Sequence, residues 1–85
     1  MEIHKKIRPE YFQMIVDGKK EFELRVADFE VKEGDILILE EQDPKTKKFT
    51  GRIAKKKIKH IMKINPTEMY DLNDIKKHGF YIMRV

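Results

Sequence analysis

The segment "KEFELRV", residues 20–26, alternates Phe22, Leu24 and Val26 with Glu21, Glu23 and Arg25. That period of two marks a strand with one apolar and one polar face. With Lys19 included, five of the seven residues from 19 to 25 are charged. Read as a strand, the segment is the second of five in the chain.

The residues before it are helical in pattern. In "RPEYFQMIVDG", residues 8–18, Tyr11, Phe12, Ile15 and Val16 recur at the spacing of one apolar stripe. Pro9 suits the first helical position, where its missing N–H is no loss. Gly18 suits the left-handed residue just past the end. Lys19 and Lys20 then stand where the helix dipole favours cations. Residues 2–6, "EIHKK", read as a first strand.

The middle of the chain is mostly β. "KEGD" turns at Gly34 into "ILILEE", residues 36–41, an apolar run of the kind buried on both faces. "DPKTKKFTG", residues 43–51, has the proline and glycine of a hairpin connection. "RIAKKKIKHIMKI", residues 52–64, fits neither period throughout. A long strand with a bulge accounts for it, and an amphipathic helix through Ile58, Ile61 and Ile64 is the alternative; β-branched content favours the strand. "NPTEMYDLNDIKKHG", residues 65–79, reads as a helix capped by Asn65 and ended by Gly79, with Met69, Leu72 and Ile75 on its buried side. "FYIMRV", residues 80–85, closes the chain as a strand. The order β-α-β-β-β-α-β predicts an α+β fold, a small and mostly antiparallel sheet or barrel with two helices against it.

Eighty-five residues make one domain, residues 1–85. A chain this short buries only about 60% of the surface its unfolded form exposes. Charged residues make up 40% of it, against about 25% in ordinary soluble domains. The absence of cysteine excludes disulfides and thiolate metal sites. The net charge of +4 suits an anionic partner, while the lysine and glutamate enrichment equally fits adaptation to high temperature. The opening residues lack the apolar core of a signal peptide, and no apolar run approaches the ~18 residues of a membrane span. A cytoplasmic protein without membrane contact is expected.

Locally, the charges of residues 19–25 need no function. Glu23 and Arg25 share a strand face and can pair at the surface, a contact contributing about 0–1 kcal/mol. In an ideal strand Lys20 would face the other way, with Phe22 and Leu24.

The order of segments says more. "GKKEFELR", residues 18–25, resembles the Gly-x-Lys-x-x-Glu-x-Arg signature of the ASCH domain family at Gly18, Lys20, Glu23 and Arg25. "VKEGDILIL", residues 31–39, resembles the turn and strand that come after the signature, and "GFYIMRV", residues 79–85, the closing strand. The stretch "HKKIRPEYFQMIVDGKKEFELR", from His4, is similar to a small ASCH-like branch of unknown function. The resemblance implies a PUA-like β-barrel of about five strands with two helices. It also implies an RNA- or nucleotide-binding module whose ligand lies in a cleft beside the signature. There Lys20 and Arg25 would hold a phosphate or a base edge, and Glu23 would orient one of them or accept from an exocyclic amine. His4 joins them if the first strand runs beside the signature strand.

A hydrolase is the alternative. In the wider ASCH group that the signature resembles, one branch deacylates acylated cytidine with the signature lysine, a threonine three residues on and a distant glutamate; another is linked to RNA cleavage. Lys20 matches the lysine, but Glu23 stands at the threonine's position, so a carboxylate beside a lysine would have to act as the base. A partner-binding domain with merely solvated charges is the third reading.

The lysine run Lys55, Lys56, Lys57 and Lys59 reads either as phosphate contacts or as a solvated face that discourages edge pairing. Phe49 and Tyr70 are candidates for stacking on bases, though the core is the commoner place for an aromatic. His60 and His78 are scattered and lack metal-ligand spacing. No cofactor and no metal are implied.

Overall fold

The computed structural model describes residues 1–83 and 85. Its centre is β2, Ile36–Gln42, which supplies the buried Leu37, Ile38 and Leu39. Strand β1, Glu2–Ile7, pairs with β2 in parallel, and β3, Phe49–Lys57, pairs with its other edge antiparallel. The result is a three-stranded mixed sheet in the order β1-β2-β3.

Helix α1, Pro9–Val16, covers the face presented by Leu37 and Leu39. Ile7, Phe12, Ile15, Leu37 and Leu39 form one core, with Ile3, Ala54 and Ile58 at its margin. Phe12 is 2% exposed and Leu39 is fully enclosed. Tyr11 and Val16, the outer members of the sequence stripe, stay exposed. The helix starts on Pro9 as expected and ends in a Schellman turn. There Gly18 has φ +75° and donates to the Ile15 carbonyl, and the Lys19 amide donates to that of Met14 at 2.9 Å.

The sequence-based barrel is not formed. The sheet has three strands, is mixed rather than mostly antiparallel, and stays open. Residues 20–26, expected as a strand, have no ladder. Where a neighbouring strand would pair along β1, the Arg25 guanidinium donates to the Lys6 carbonyl at 3.0 Å instead. A side chain thus takes the acceptor that a backbone amide would have used. The closing strand is also missing: among the described residues, 80–83 and 85 form none, and Tyr81 and Met83 are exposed. Arg84, in the same stretch, lies outside the described residues.

Three further differences are local. The expected helix over 65–79 is two: α2, Pro66–Met69, and α3, Leu72–His78. Asn65 caps the first as read from the sequence, but Tyr70 is extended and Asp71 caps the second by accepting from the Asn73 amide. Met69 and Leu72 are exposed, and only Ile75 is half-buried. The strand expected over 52–64 begins earlier, at Phe49, and stops at Lys57. Its irregularity sits at the start: Glu40 pairs with Ile53 and Gln42 with Phe49, so Thr50–Arg52 bulge opposite Glu41. Gly51, at φ +91°, supplies the backbone that such a bulge needs. Glu41 is buried there and accepts from the Thr50 hydroxyl at 2.7 Å.

The turn into β2 is fixed by a buried carboxylate. Asp35 accepts from the Lys32 amide at 3.0 Å and from the Met1 ammonium at 3.2 Å. The Lys32 N–H bond, aided by the ammonium, holds the Asp35 carboxyl below its ordinary pKa despite burial. Among the described residues, no helix is long and apolar enough to cross a membrane.

Candidate functional site

The lack of a ladder at residues 20–26 is what assembles the charges. Freed from strand alternation, Lys20 folds back and its Nζ meets Glu23 Oε1 while also donating to the Phe22 carbonyl at 2.8 Å. Arg25 Nε donates to the other carboxylate oxygen, Glu23 Oε2, at 2.9 Å. Glu23 is therefore bridged by two cations, and Arg25 carries the group onto the end of β1 through the Lys6 carbonyl. Lys20, Glu23 and Arg25 are 15%, 18% and 28% exposed at their side chains. Such partial burial makes charge-assisted bonds worth more than those of an open surface pair.

Donors remain for a ligand. A guanidinium has five N–H groups and an ammonium three. The bonds within the cluster occupy Nε and one terminal nitrogen of Arg25 and two of the Lys20 positions.

All three side chains line a groove of about 430 Å³. Its lining adds Lys6 from the end of β1, Arg8 just before α1, Tyr11 from α1, and Phe22 and Ile82. Arg8 is paired with Glu10 at 2.8 Å, and the Lys20 ammonium lies 5.3 Å from the Phe22 ring centre. The groove thus joins cations, one engaged carboxylate and exposed aromatic surface. That mixture suits an anion carrying a flat ring.

Other sequence candidates lie elsewhere. His4 stands on β1 outside the groove, its Nδ1 2.6 Å from Glu40 Oε1. Lys55, Lys56 and Lys57 are all exposed on β3, but their alternation divides them. Lys56 stands opposite Leu37 on the helix-covered face, while Lys55 and Lys57 stand opposite Ile38 and Ile36 on the other. Lys59 lies just past the strand's end, so the run is not one patch. His60 pairs with Glu33 at 3.2 Å, and His78 ends α3. Phe49 is exposed on β3, and Tyr70 packs edge-on against Phe80 with centroids 5.7 Å apart. Among the described residues, no three His, Asp or Glu side chains gather as a metal site.

Lys6, Arg8 and Tyr11 were missed by sequence reasoning. The available signal was "KKIRPEY", residues 5–11, where three basic residues run directly into the proline of α1. Any fold placing residues 20–25 beside the start of that helix brings them together.

No curated protein and no solved structure matches the chain. A family model described as "Domain of unknown function (DUF3850)" matches residues 3–75, which include nearly all of β1, the whole signature and the first half of α3. With most of its length matched, the chain belongs to the DUF3850 family.

Proposed function

We propose that the chain is an RNA- or nucleotide-binding module whose ligand lies in the groove beside Lys20, Glu23 and Arg25. The observation that carries this reading is the bridged cluster itself. Two cations are held in fixed positions on one carboxylate, and each keeps N–H donors that no partner among the described residues takes up. They are oriented before a ligand arrives, which favours binding. Lys6 and Arg8 add positive charge for phosphate, and the exposed Tyr11 offers a ring for stacking. The resemblance of "GKKEFELR" to the ASCH signature points the same way.

Hydrolysis is the weaker reading. Both oxygens of Glu23 already accept from cations, and the carboxylate serves first as the bridge that positions Lys20 and Arg25. No hydroxyl stands in its place.

The test is binding of fluorescently labelled single-stranded and hairpin RNA at low and moderate salt, with the RNA recovered and checked for cleavage. The double variant Lys20→Ala, Arg25→Ala and the single variant Arg8→Ala run beside the wild type. Expected are salt-sensitive binding of intact RNA, its loss in the double variant, and a salt slope shallower by about 0.7 in Arg8→Ala if that side chain contacts one phosphate. RNA bound equally by all three proteins would refute the site. Cleavage by the wild type alone would move hydrolysis to first place.

A further inference from the structure

The groove does not end at Arg25. A second hollow of about 360 Å³ shares Lys6, Ile7, Arg8 and Arg25 with the first and continues to Gln42, Pro44 and Lys47. The two are lobes of one channel passing over the end of β1. Each lobe is near the lower limit of the ~300–1,000 Å³ usual for small-ligand sites, room for about one compact unit apiece.

The far lobe is built by the β2–β3 turn, and that turn is held in an unusual state. Lys47 has φ +63°, the left-handed region, and is the one described non-glycine residue there. For an ordinary side chain that conformation costs about 1–2 kcal/mol. Surrounding bonds enforce it. The Lys47 amide donates to the Asp43 carbonyl at 2.8 Å, and Gln42 Nε2 donates to the Lys47 carbonyl at 2.9 Å. Asp43 Oδ1 also accepts from the Lys45 amide at 2.8 Å. Glycine or asparagine would satisfy the backbone better, yet the position carries a cation. Among the described residues, Lys47 and Lys6 have no carboxylate partner, so both ammonium groups are free for an anion.

From the near lobe the channel therefore presents Lys20 and Arg25, then Arg8 and Lys6 at the junction, and finally Lys47. A succession of cations along a channel of two lobes matches successive phosphates better than one nucleotide. We infer that the site takes a single-stranded RNA segment of at least two nucleotides, one per lobe, with Lys47 contacting a phosphate in the far lobe. This rests on the nucleotide-binding reading and deepens it.

Calorimetric titration with uridine monophosphate, the dinucleotide and the tetranucleotide of uridylate tests the inference. Wild type, Lys47→Gly and Lys47→Arg are compared, with an oligoglutamate of matched charge as a control. Lys47→Gly removes the ammonium but keeps the left-handed backbone, so folding is preserved. The tetranucleotide should bind the wild type at least about tenfold tighter than the monophosphate. Lys47→Gly should lose most of that gain, and Lys47→Arg should keep it. If mono- and tetranucleotide bind alike, or if Lys47→Gly keeps the gain, the second lobe is refuted while nucleotide binding in the first stands. If the wild type binds none of the three, both readings fall. Equal binding of oligoglutamate overturns the assignment to RNA, because charge alone would then be read.

Discussion

Replacing Arg25 by alanine should loosen one segment of the protein without unfolding the rest. Residues 20–31 have no strand or helix, and Arg25, itself held by Glu23 at 2.9 Å, ties them to β1 through its bond to the Lys6 carbonyl at 3.0 Å. A second tie across to β1 is the Lys5 ammonium, 3.7 Å from the Phe29 ring centre. A hydrogen bond to a charged group contributes about 1.5–3 kcal/mol. Arg25 is 28% exposed, and water replaces part of what is lost, so about 2 kcal/mol is expected for the local tie. That corresponds to roughly thirtyfold more of the opened segment. Global stability should fall by less, because a segment that opens separately can remove no more than its own contribution. Chymotrypsin cleavage at Phe22 and Phe29, with the fragments identified by mass spectrometry, reads the open population when reclosing is fast. Urea unfolding of the same protein reads the whole. Unchanged cleavage at both sites would show that Arg25 is not the tie. A global loss as large as that of a core truncation would show that the segment is part of the cooperative unit. Arg25→Lys retains the charge on a shorter side chain without the planar fork of donors, so its cleavage rate should lie between the two.

Core truncation supplies the comparison: Leu39→Ala, at a fully enclosed position, should cost about 2–5 kcal/mol in urea unfolding, and a cost near zero would deny β2 its central place. Acid stability tests Asp35. Its folded-state pKa is lowered by the Lys32 N–H bond and then the Met1 ammonium, against the effect of burial, so its contribution is complete above the ordinary value and is lost as pH falls through the lowered one. Urea midpoints measured from about pH 5 to pH 2 should therefore fall less steeply in Asp35→Asn than in the wild type; parallel curves would contradict this. Gly51→Ala should destabilise by about 1–2 kcal/mol through backbone strain alone, since open space surrounds the position where its side chain would stand. An unchanged urea midpoint in that variant would show that the bulge tolerates an ordinary residue.

The parts legible in the sequence were those whose signals are complete within a few residues. Pro9, the Phe12 and Ile15 pair and Gly18 specify α1 and its Schellman end locally. "ILIL" permits little but a central strand, and Asn65 caps the turn it precedes. The segment from Lys20 to Val26 failed for a different reason. Alternation shows that one face of an extended chain is apolar; it does not show that a neighbour's backbone is available to pair with it. Here Arg25 takes the Lys6 carbonyl, and Leu24 and Val26 remain exposed. The candidate site was half legible. Lys20, Glu23 and Arg25 were named, but strand geometry set Lys20 apart from the other two, and the loop brings it back. His4 stands on the same strand two residues before Lys6 but outside the groove, while Lys6, Arg8 and Lys47 enter it through tertiary neighbours that no local pattern encodes.

The parallel pairing of β1 with β2 also has a consequence in time. β2 and β3 are joined by residues 43–48, a short closure that can form early, whereas Glu2 must find Ile36, 34 positions later. Long-range pairing of this kind is the slow step in folding, because the loop must close before its contacts contribute. The hairpin with Gln42 and Lys47 should form first, and β1 should join it afterwards, bringing Lys6, Arg8 and, through Arg25, the rest of the cluster. The channel lies on the seam between these two halves. It comes into being only when the last of them arrives.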